Sequence, residues 1–588
     1  LIMPTEKILT GYPSIDKPWL KYYTEEAINT PLPECTLYEH VLKNNSNHLS
    51  DIAVEYFGNK ISYGKLFHNV ELVKNAFIAQ GIKKGDKVIM FTSATPEMVY
   101  ITLALCRIGA VANMINPLFT EEQIRDRINE TDATLLLALD QLYGKIKNVI
   151  PKTCIKKTVI IPVCNEMPKI MGLIAGIKMN KKLEYNNTLM TWKTFLNSGR
   201  GLPKTEDAKY EKDTPLIMVY SSGTTGASKG IVLTNDGINA TISHYLSPDF
   251  PYERGNRFFQ IVPVWFSTGL VLSMLMPICV GIICVIEPIF SKENFAKGIK
   301  KYKPNMTLGA TSLWTYAAQC DDLKKCNLSG MIYPIAGGEQ ILPRDEDSIN
   351  AFLKQHGCRS VLLKGYGMCE LGSTVSTDSS SIRKTGSTGY PIKGVIVSAF
   401  DIETNEEMQY GQRGEIRVQS PARMKEYFKN PEVTNKYFYT DEQGNKWGCT
   451  GDIGYVDKEG FIYILGRASD KFTAQNGKEI YCFDIENVIL ENENIASCEV
   501  VGLHKDDYFV PVAHFVFADT CQLSSEEVIL QVHENCKQKL DADCVPCGYK
   551  CRKTFPVKSS GKRDMEALKK ERDGFILPID DKIAQVNL

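Results

Sequence analysis

The stretch Tyr220-Ser-Ser-Gly-Thr-Thr-Gly-Ala-Ser-Lys-Gly230 limits what this chain can fold into more than any other. The apolar runs Leu216-Ile-Met-Val-Tyr220 before it and Ile231-Val-Leu-Thr234 after it each read as a buried strand. Composition alone would make the loop a flexible surface turn, but such turns rarely sit between two apolar strands. Held between strands, the segment suits a polyphosphate. Gly223 and Gly226 let backbone N–H groups approach anionic oxygens, Ser221, Ser222, Thr224 and Thr225 add hydroxyl donors, and Lys229 adds charge. It is not the P-loop of NTPases, because Gly-x-x-x-x-Gly-Lys-Ser/Thr cannot be threaded through it.

At 588 residues the chain is expected to form more than one domain. Its net charge is −1 with both signs dispersed, which argues against a nucleic-acid partner, since that would call for a basic stripe. No basic segment followed by an apolar one opens the sequence, so no secretory signal is expected. The 18 cysteines scatter along the chain, as reduced thiols in a cytoplasmic protein would. The group Cys544, Cys547 and Cys551, with Cys536 and His533 upstream, lacks the second pair that a zinc site normally uses, so metal binding there is disfavoured. Phe258 to Ile286 carries no charge and is long enough to span a bilayer, but Pro277 and Gly281 interrupt it. A buried helix followed by a core strand, Ile282-Ile-Cys-Val-Ile286, is the better account, and no transmembrane segment is expected.

Strand-like and helix-like segments alternate, which predicts α/β layers. Ser62 caps a helix that stops at Gly81; strands follow at Lys87–Phe91 and Ala110–Ile115. Residues 162–213 look like an irregular, lysine-rich insertion. Within it, Met167 to Met179 is apolar and basic; it reads as an ordinary packed helix in preference to a lipid contact. Past Gly466-Arg-Ala-Ser-Asp470 the pattern becomes compact α+β, with a helix from Asp484, strands at Glu499–Leu503 and Val510–Val516, and a capping box at Ser524 and Glu527. The fold class is therefore α/β. A large N-terminal domain of several subdomains spans residues 1–468, and a small α+β C-terminal domain spans 469–588.

Three further motifs say which phosphate chemistry is involved: Leu363-Lys-Gly-Tyr-Gly-Met-Cys-Glu370, Thr450-Gly-Asp-Ile-Gly-Tyr through Gly466-Arg467, and Pro556-Val-Lys-Ser-Ser-Gly-Lys562. With the loop, in this order and spacing, they closely resemble the adenylate-forming superfamily. That group includes acyl-CoA synthetases, peptide-synthetase adenylation domains, fatty acyl-AMP ligases and beetle luciferases. The resemblance runs from about Leu37 to about Leu568. It implies a mobile C-terminal domain and a reaction in which a carboxylate attacks the α-phosphate of ATP, giving acyl-AMP and pyrophosphate. Both reactants are anions, so the main barrier is electrostatic. By the same resemblance, Glu370 holds Mg²⁺, the loop from Ser221 to Lys229 with Thr224 steers pyrophosphate, and Lys562 bridges the carboxylate and the α-phosphate. Gly337 and Gly338, beside Glu339 in Ala336-Gly-Gly-Glu-Gln340, lie under the purine. Tyr366, next to Gly367, stacks on its other face, and Asp452 with Arg467 takes the ribose hydroxyls.

The sequence also departs from the family pattern. Cys369 stands where a threonine is usual, Trp265-Phe266 where an aromatic-His pair is common, and Ser469 at the hinge position that is usually Asp or Lys. The loop after it has Thr473 for the usual Lys and Cys482 for the usual Pro, so the identity of the acceptor stays open. Amino-acid-activating relatives place an Asp at Phe266, so an α-ammonium would be left unpaired here. Trp265, Phe266, Thr311, Trp314, Gly337, Leu371 and Gly372 suit an alkyl or aryl tail, and a fatty acid is favoured over an aryl acid. The chain ends shortly after the lysine motif, so CoA or a carrier protein's pantetheine is expected to act in trans. A luciferase-like oxygenase, a membrane-anchored binder and a metal-binding module are the rival classes.

Overall fold

The two apolar runs around the hydroxyl-rich loop pair with each other. Strand Pro215–Tyr220 lies antiparallel to Gly230–Thr234, with Tyr220 opposite Gly230. The computed structural model that gives this pairing describes residues 9–179, 183–221, 228–245, 251–505, 507–518, 520–556, 563–579 and 582–586. Among them, the hairpin belongs to an eight-stranded sheet whose middle strands, Val111–Met114, Lys87–Phe91 and Leu135–Leu139, are parallel. Their unbroken apolar runs (Leu135-Leu-Leu-Ala-Leu139 is buried throughout) follow from helices covering both faces. One cover is Tyr63–Ala79, capped by the Ser62 hydroxyl accepting from Lys65 N. Another is Pro96–Ile108, which ends on Gly109.

A nine-stranded sheet lies alongside. Its parallel core runs Leu363–Tyr366, Tyr333–Gly337, Met306–Gly309, Arg257–Gln260, Ile283–Ile286 and Ile52–Tyr56 in spatial order. A five-stranded antiparallel sheet of Ile396–Phe400, Gly414–Gln419, Lys446–Val456, Phe438–Thr440 and Ile462–Arg467 closes the large domain. The small domain is built on Ile495–Lys505 and Tyr508–Phe517, a long antiparallel pair, with helices Cys482–Ile489 and Ser525–Lys539 against it. Ser524 and Glu527 form the expected capping box. The whole is a mixed α/β protein with a large N-terminal and a smaller C-terminal domain.

Two expectations need correcting in the insertion. Residues 162–213 are irregular only in part: Leu189–Thr191 adds a parallel edge strand beside Lys157–Ile161, and helix Trp192–Ser198 buries Trp192 and Phe195, the latter edge-on to Phe77, while residues 202–211 carry no regular element. Nor is Met167 to Met179 an ordinary packed helix. Helix Lys169–Met179 forms, but it turns Ile170 and Leu173 to solvent, 77% and 69% exposed, because glycines occupy its inner side. The uncharged stretch after Phe258 folds as helical turns Thr268–Leu275 and Met276–Cys279, then strand Ile283–Ile286; among the described residues no helix is long and apolar enough to cross a membrane. No group of three or more metal-ligating side chains occurs among the described residues. Cys536 is instead a core residue of the small domain, and His533 shares a 3.0 Å hydrogen bond with Tyr549.

Candidate active site

Parallel strands deliver their C-terminal ends to one side of a sheet, and ligands bind there in open α/β folds. Gly309 pairs with Ala336, and Gly337 with Gly365. Thr311, the Gly337-Gly338-Glu339 turn and Tyr366 therefore leave the nine-stranded sheet at the same end. Trp265 and Phe266 follow the neighbouring strand Arg257–Gln260. Gly338 has φ +83°, a left-handed conformation that suits glycine. At Gly367 a Cβ would lie 1.8 Å from the Ser373 carbonyl oxygen, so only glycine fits that turn. Glu339 accepts from Ser312 N at 2.9 Å and Ser312 Oγ at 3.1 Å, placing its charge at the start of helix Thr311–Gln319.

Tyr366, Asp452 and Arg467 meet although distant in sequence. The Tyr366 hydroxyl donates to Asp452 Oδ2 at 2.5 Å, and Arg467 Nε lies 3.1 Å from Asp452 Oδ1. Asp452 is buried, while Arg467 is 53% exposed at the rim. Burial raises the Asp452 carboxyl above the ordinary aspartate value, against Arg467 and Tyr366, which lower it. The phenol of Tyr366 is driven well up by burial and by Asp452, so it remains a donor. Thr450 braces the turn: its hydroxyl donates to Ile416 O at 2.6 Å and accepts from Asp452 N at 3.1 Å.

Glu370 sits half-buried in the helical turn Cys369–Leu371. Two tyrosines that no motif marks surround it. Tyr427 donates its hydroxyl to Glu370 Oε1 at 3.0 Å, and Met424 N donates to the Glu370 carbonyl at 2.7 Å. Tyr437 packs against Tyr427, centroids 5.8 Å apart, and donates to Met368 Sδ at 3.3 Å. Strand Glu426–Tyr427 pairs with Gly230–Thr234, setting Tyr427 opposite Ile231. The Lys229 ammonium consequently lies 5.2 Å over the Tyr427 ring. Burial and the neighbouring Glu370 push the Tyr427 phenol up, which keeps its proton in place. Oε2 of Glu370 takes no hydrogen bond among the described residues, leaving a hard oxygen donor of the kind Mg²⁺ prefers. Only the tertiary pairing reveals Tyr427 and Tyr437, since nothing in local spacing connects them to Glu370.

The loop's neck is closed from both sides: Ser221 N donates to Lys229 O, and Lys229 N to Ser221 Oγ, each at 3.0 Å. Ser222, Gly223, Thr224, Thr225, Gly226 and Lys562 lie outside the described residues. Arg563, next to Lys562, pairs with Glu499; burial lowers its pKa, and the carboxylates of Glu486 and Glu339 oppose that. The start of helix Pro343–Gln355 ties the domains together, because Arg344 donates to the carbonyls of Asn492, Ile495 and Ala496.

The tail-pocket candidates divide. Trp265 and Phe266 are half-buried with rings 6.3 Å apart. Trp265 Nε1 and Thr311 Oγ1 are buried with no partner among the described residues. Trp314 is fully buried, its N–H donating to Ile335 O at 2.8 Å and its ring edge-on to Phe295. Leu371 is likewise core, and the Gly372 carbonyl accepts from the Thr241 hydroxyl at 2.8 Å.

Comparison with known proteins matches residues 42–428 to the family described as AMP-binding enzyme. A long-chain-fatty-acid–CoA ligase of Bacillus subtilis (strain 168) is 26% identical over 564 residues, covering 93% of this chain and 96% of that one. A probable 4-coumarate–CoA ligase of Dictyostelium discoideum is also 26% identical, over 87% of this chain and 91% of its own. The crystal structure of an anthranilate CoA ligase in complex with anthranoyl-AMP superposes with a TM-score of 0.76 at 20% identity, covering 92% of this chain and 98% of the other.

Proposed function

The chain belongs to the AMP-binding enzyme family, and from that premise we propose that it activates a carboxylic acid with ATP and passes the acyl group to a thiol. The enzyme is an acid–thiol ligase of the AMP-forming class. In the first step a carboxylate oxygen bonds to the α-phosphorus while the bond to the bridging oxygen of pyrophosphate breaks. In the second, a thiol sulfur attacks the acyl carbonyl, AMP leaves, and the thiol proton passes to solvent. The observation that carries the reading is the linked set Lys229, Tyr427 and Glu370 beside the Tyr366–Asp452–Arg467 cluster.

In this reading the loop from Ser221 to Lys229, with Ser222, Gly223, Thr224, Thr225 and Gly226, holds the β- and γ-phosphates. Gly337, Gly338 and Tyr366 take the purine, with Gly367 allowing the close turn and Cys369 beside the reacting centre. Asp452 and Arg467 bind the ribose. Mg²⁺ bound at Glu370 would neutralise phosphate charge as the pyrophosphate leaves. Lys562 would reach the same centre from the small domain, a placement supported by Arg563 lying in the field of Glu339. Coenzyme A is the acceptor we favour, as in the names of the relatives; a carrier-protein pantetheine is the alternative.

A fatty acid is the substrate class we favour, from the apolar Trp265 and Phe266 pair, with Phe266 standing where amino-acid-activating relatives carry an Asp. Trp265 Nε1 and Thr311 Oγ1, buried without partners among the described residues, favour a second reading: an aryl acid with a polar ring substituent. ATP–pyrophosphate exchange with a panel of alkyl, aryl and amino acids tests both, followed by mass detection of the thioester with coenzyme A or holo-carrier protein. Exchange with alkyl acids supports the first reading and exchange confined to hydroxylated aryl acids the second. Exchange with no acid in the panel would overturn the proposal.

A further inference from the structure

Asp452 stands in a bulge. Strands Gly414–Gln419 and Lys446–Val456 are antiparallel neighbours, with Glu415 opposite Ile453 and Arg417 opposite Cys449. Ile416 alone therefore faces Thr450, Gly451 and Asp452. Bulges re-aim side chains and gather beside active sites, but they take their residues out of the ladder. The backbone groups so released need other partners. The Ile416 carbonyl accepts from the Thr450 hydroxyl at 2.6 Å. The Gly451 N–H turns to a side chain, donating to Glu415 Oε1 at 3.2 Å. On the other side of the bulge, Gly451 O accepts from Ala468 N at 2.8 Å, and Thr450 O accepts from Arg467 Nη1 at 3.2 Å.

Glu415 is itself held. Arg417 Nε donates to Glu415 Oε2 at 2.8 Å, and both residues are buried. The Arg417 guanidinium packs on the rings of Phe400 and Tyr439, 5.0 and 4.9 Å from their centroids. A buried ion pair is a weak source of stability, because desolvation offsets its attraction. Arg417 Nη1 is also buried without a partner among the described residues, which adds to that cost. Two apolar side chains would fill the same space without it. What they would not supply is an acceptor for the Gly451 N–H.

We propose that Glu415, aimed by Arg417, is a positioning residue for the nucleotide: it fixes the bulge at Gly451 so that Asp452 meets the ribose hydroxyls. It acts through Asp452, and the inference rests on the assignment of Asp452 to the ribose. The same bulge carries the contact to Ala468, so Glu415 also steadies the start of the connector between the domains.

Calorimetric titration of the full chain with ATP and with 2′,3′-dideoxy-ATP, each with Mg²⁺ and without acid or thiol, tests this. The wild type should bind ATP at least about tenfold more tightly than the dideoxy nucleotide, because a charged acceptor serves the hydroxyls. Glu415→Met combined with Arg417→Met replaces the pair by apolar side chains of similar size, which should leave the thermal melt near that of the wild type. The double variant should lose about tenfold or more in ATP affinity while dideoxy-ATP affinity changes by less than about twofold, so that the discrimination disappears. Glu415→Gln keeps an oxygen for the Gly451 N–H and should retain discrimination to within about threefold of the wild type. Glu415→Ala gives the same comparison, with the same deciding results, should the double variant fail to fold. A variant that weakens both nucleotides by one factor, or neither, beside a discriminating wild type overturns the positioning role and leaves the ribose assignment standing. Glu415→Gln as impaired as the double variant also overturns it. A wild type that binds both nucleotides equally, or neither, overturns the ribose assignment and this inference with it.

Discussion

At the residue scale the site depends on compensating anions. In the proposed reading Lys562 screens the acid carboxylate from the α-phosphate. Lys562→Ala should cut pyrophosphate exchange by about 10²–10³-fold with an unchanged melt, and near-normal exchange would remove Lys562 from that role. Glu370 and Tyr427 form a second test. The phenol is held neutral beside the carboxylate and fixes one of its oxygens at 3.0 Å. Hydrogen bonds to charged groups contribute about 1.5–3 kcal/mol. Tyr427→Phe should therefore lower exchange roughly tenfold or more and shift its Mg²⁺ titration to higher concentration. Glu370→Gln should shift it further, since a neutral amide is a poor ligand for a hard cation. A Tyr427→Phe titration superimposable on wild type would show that the phenol does not position Glu370.

At the scale of elements, the turn after Leu363–Tyr366 and the connector after Ile462–Arg467 matter most. Gly367 leaves no room for a side chain, with a Cβ only 1.8 Å from the Ser373 carbonyl. Gly367→Ala must displace the turn that carries Cys369 and Glu370. Exchange activity should collapse while the small domain, whose core is separate, keeps its spectroscopic signature. The connector is the proposed hinge. Ser469 is exposed, and among the described residues its side chain hydrogen-bonds Asp470 at 3.2 Å, so proline there sacrifices little native contact. It does fix φ and bias Ala468 away from the helical region. Ser469→Pro should spare acyl-AMP formation and block thioester formation; loss of both steps together would argue against a hinge at this position.

At the scale of the whole molecule, stability should respond to pH through buried carboxyls. Glu97, in the first turn of Pro96–Ile108, is pushed up from 4.5 to about 7 by burial, although Asn165 donates to it at 2.7 Å. The folded state thus keeps a proton that the unfolded chain releases near 4.5. The stability this group contributes is present below that value and lost as pH rises through about 7, a difference on the order of 3 kcal/mol. Glu97→Gln, which stays neutral, should gain melting temperature relative to wild type between pH 5 and pH 8. A constant difference across that range would mean that the carboxyl is not held neutral in the fold.

What the amino-acid sequence determined by itself was local in origin. Apolar runs flanking a glycine- and hydroxyl-rich loop encode the hairpin Pro215–Tyr220 and Gly230–Thr234, and Ser62 and Ser524 encode helix starts through their own hydroxyls. The motif order then pointed to the family. The helix Lys169–Met179 was legible as a helix but not in its orientation. Periodicity reports which residues share a face, and only the body beside Cys164 decided that the glycines face inward. The contacts at the site were decided by tertiary structure as well. Tyr427 reaches Glu370 across 57 positions, and Tyr366 reaches Asp452 across 86. Packing between different sheets brings those partners together, since Tyr366 and Asp452 stand on strands of separate sheets and Tyr427 on a third, and nothing in the local chemistry of either partner specifies the other.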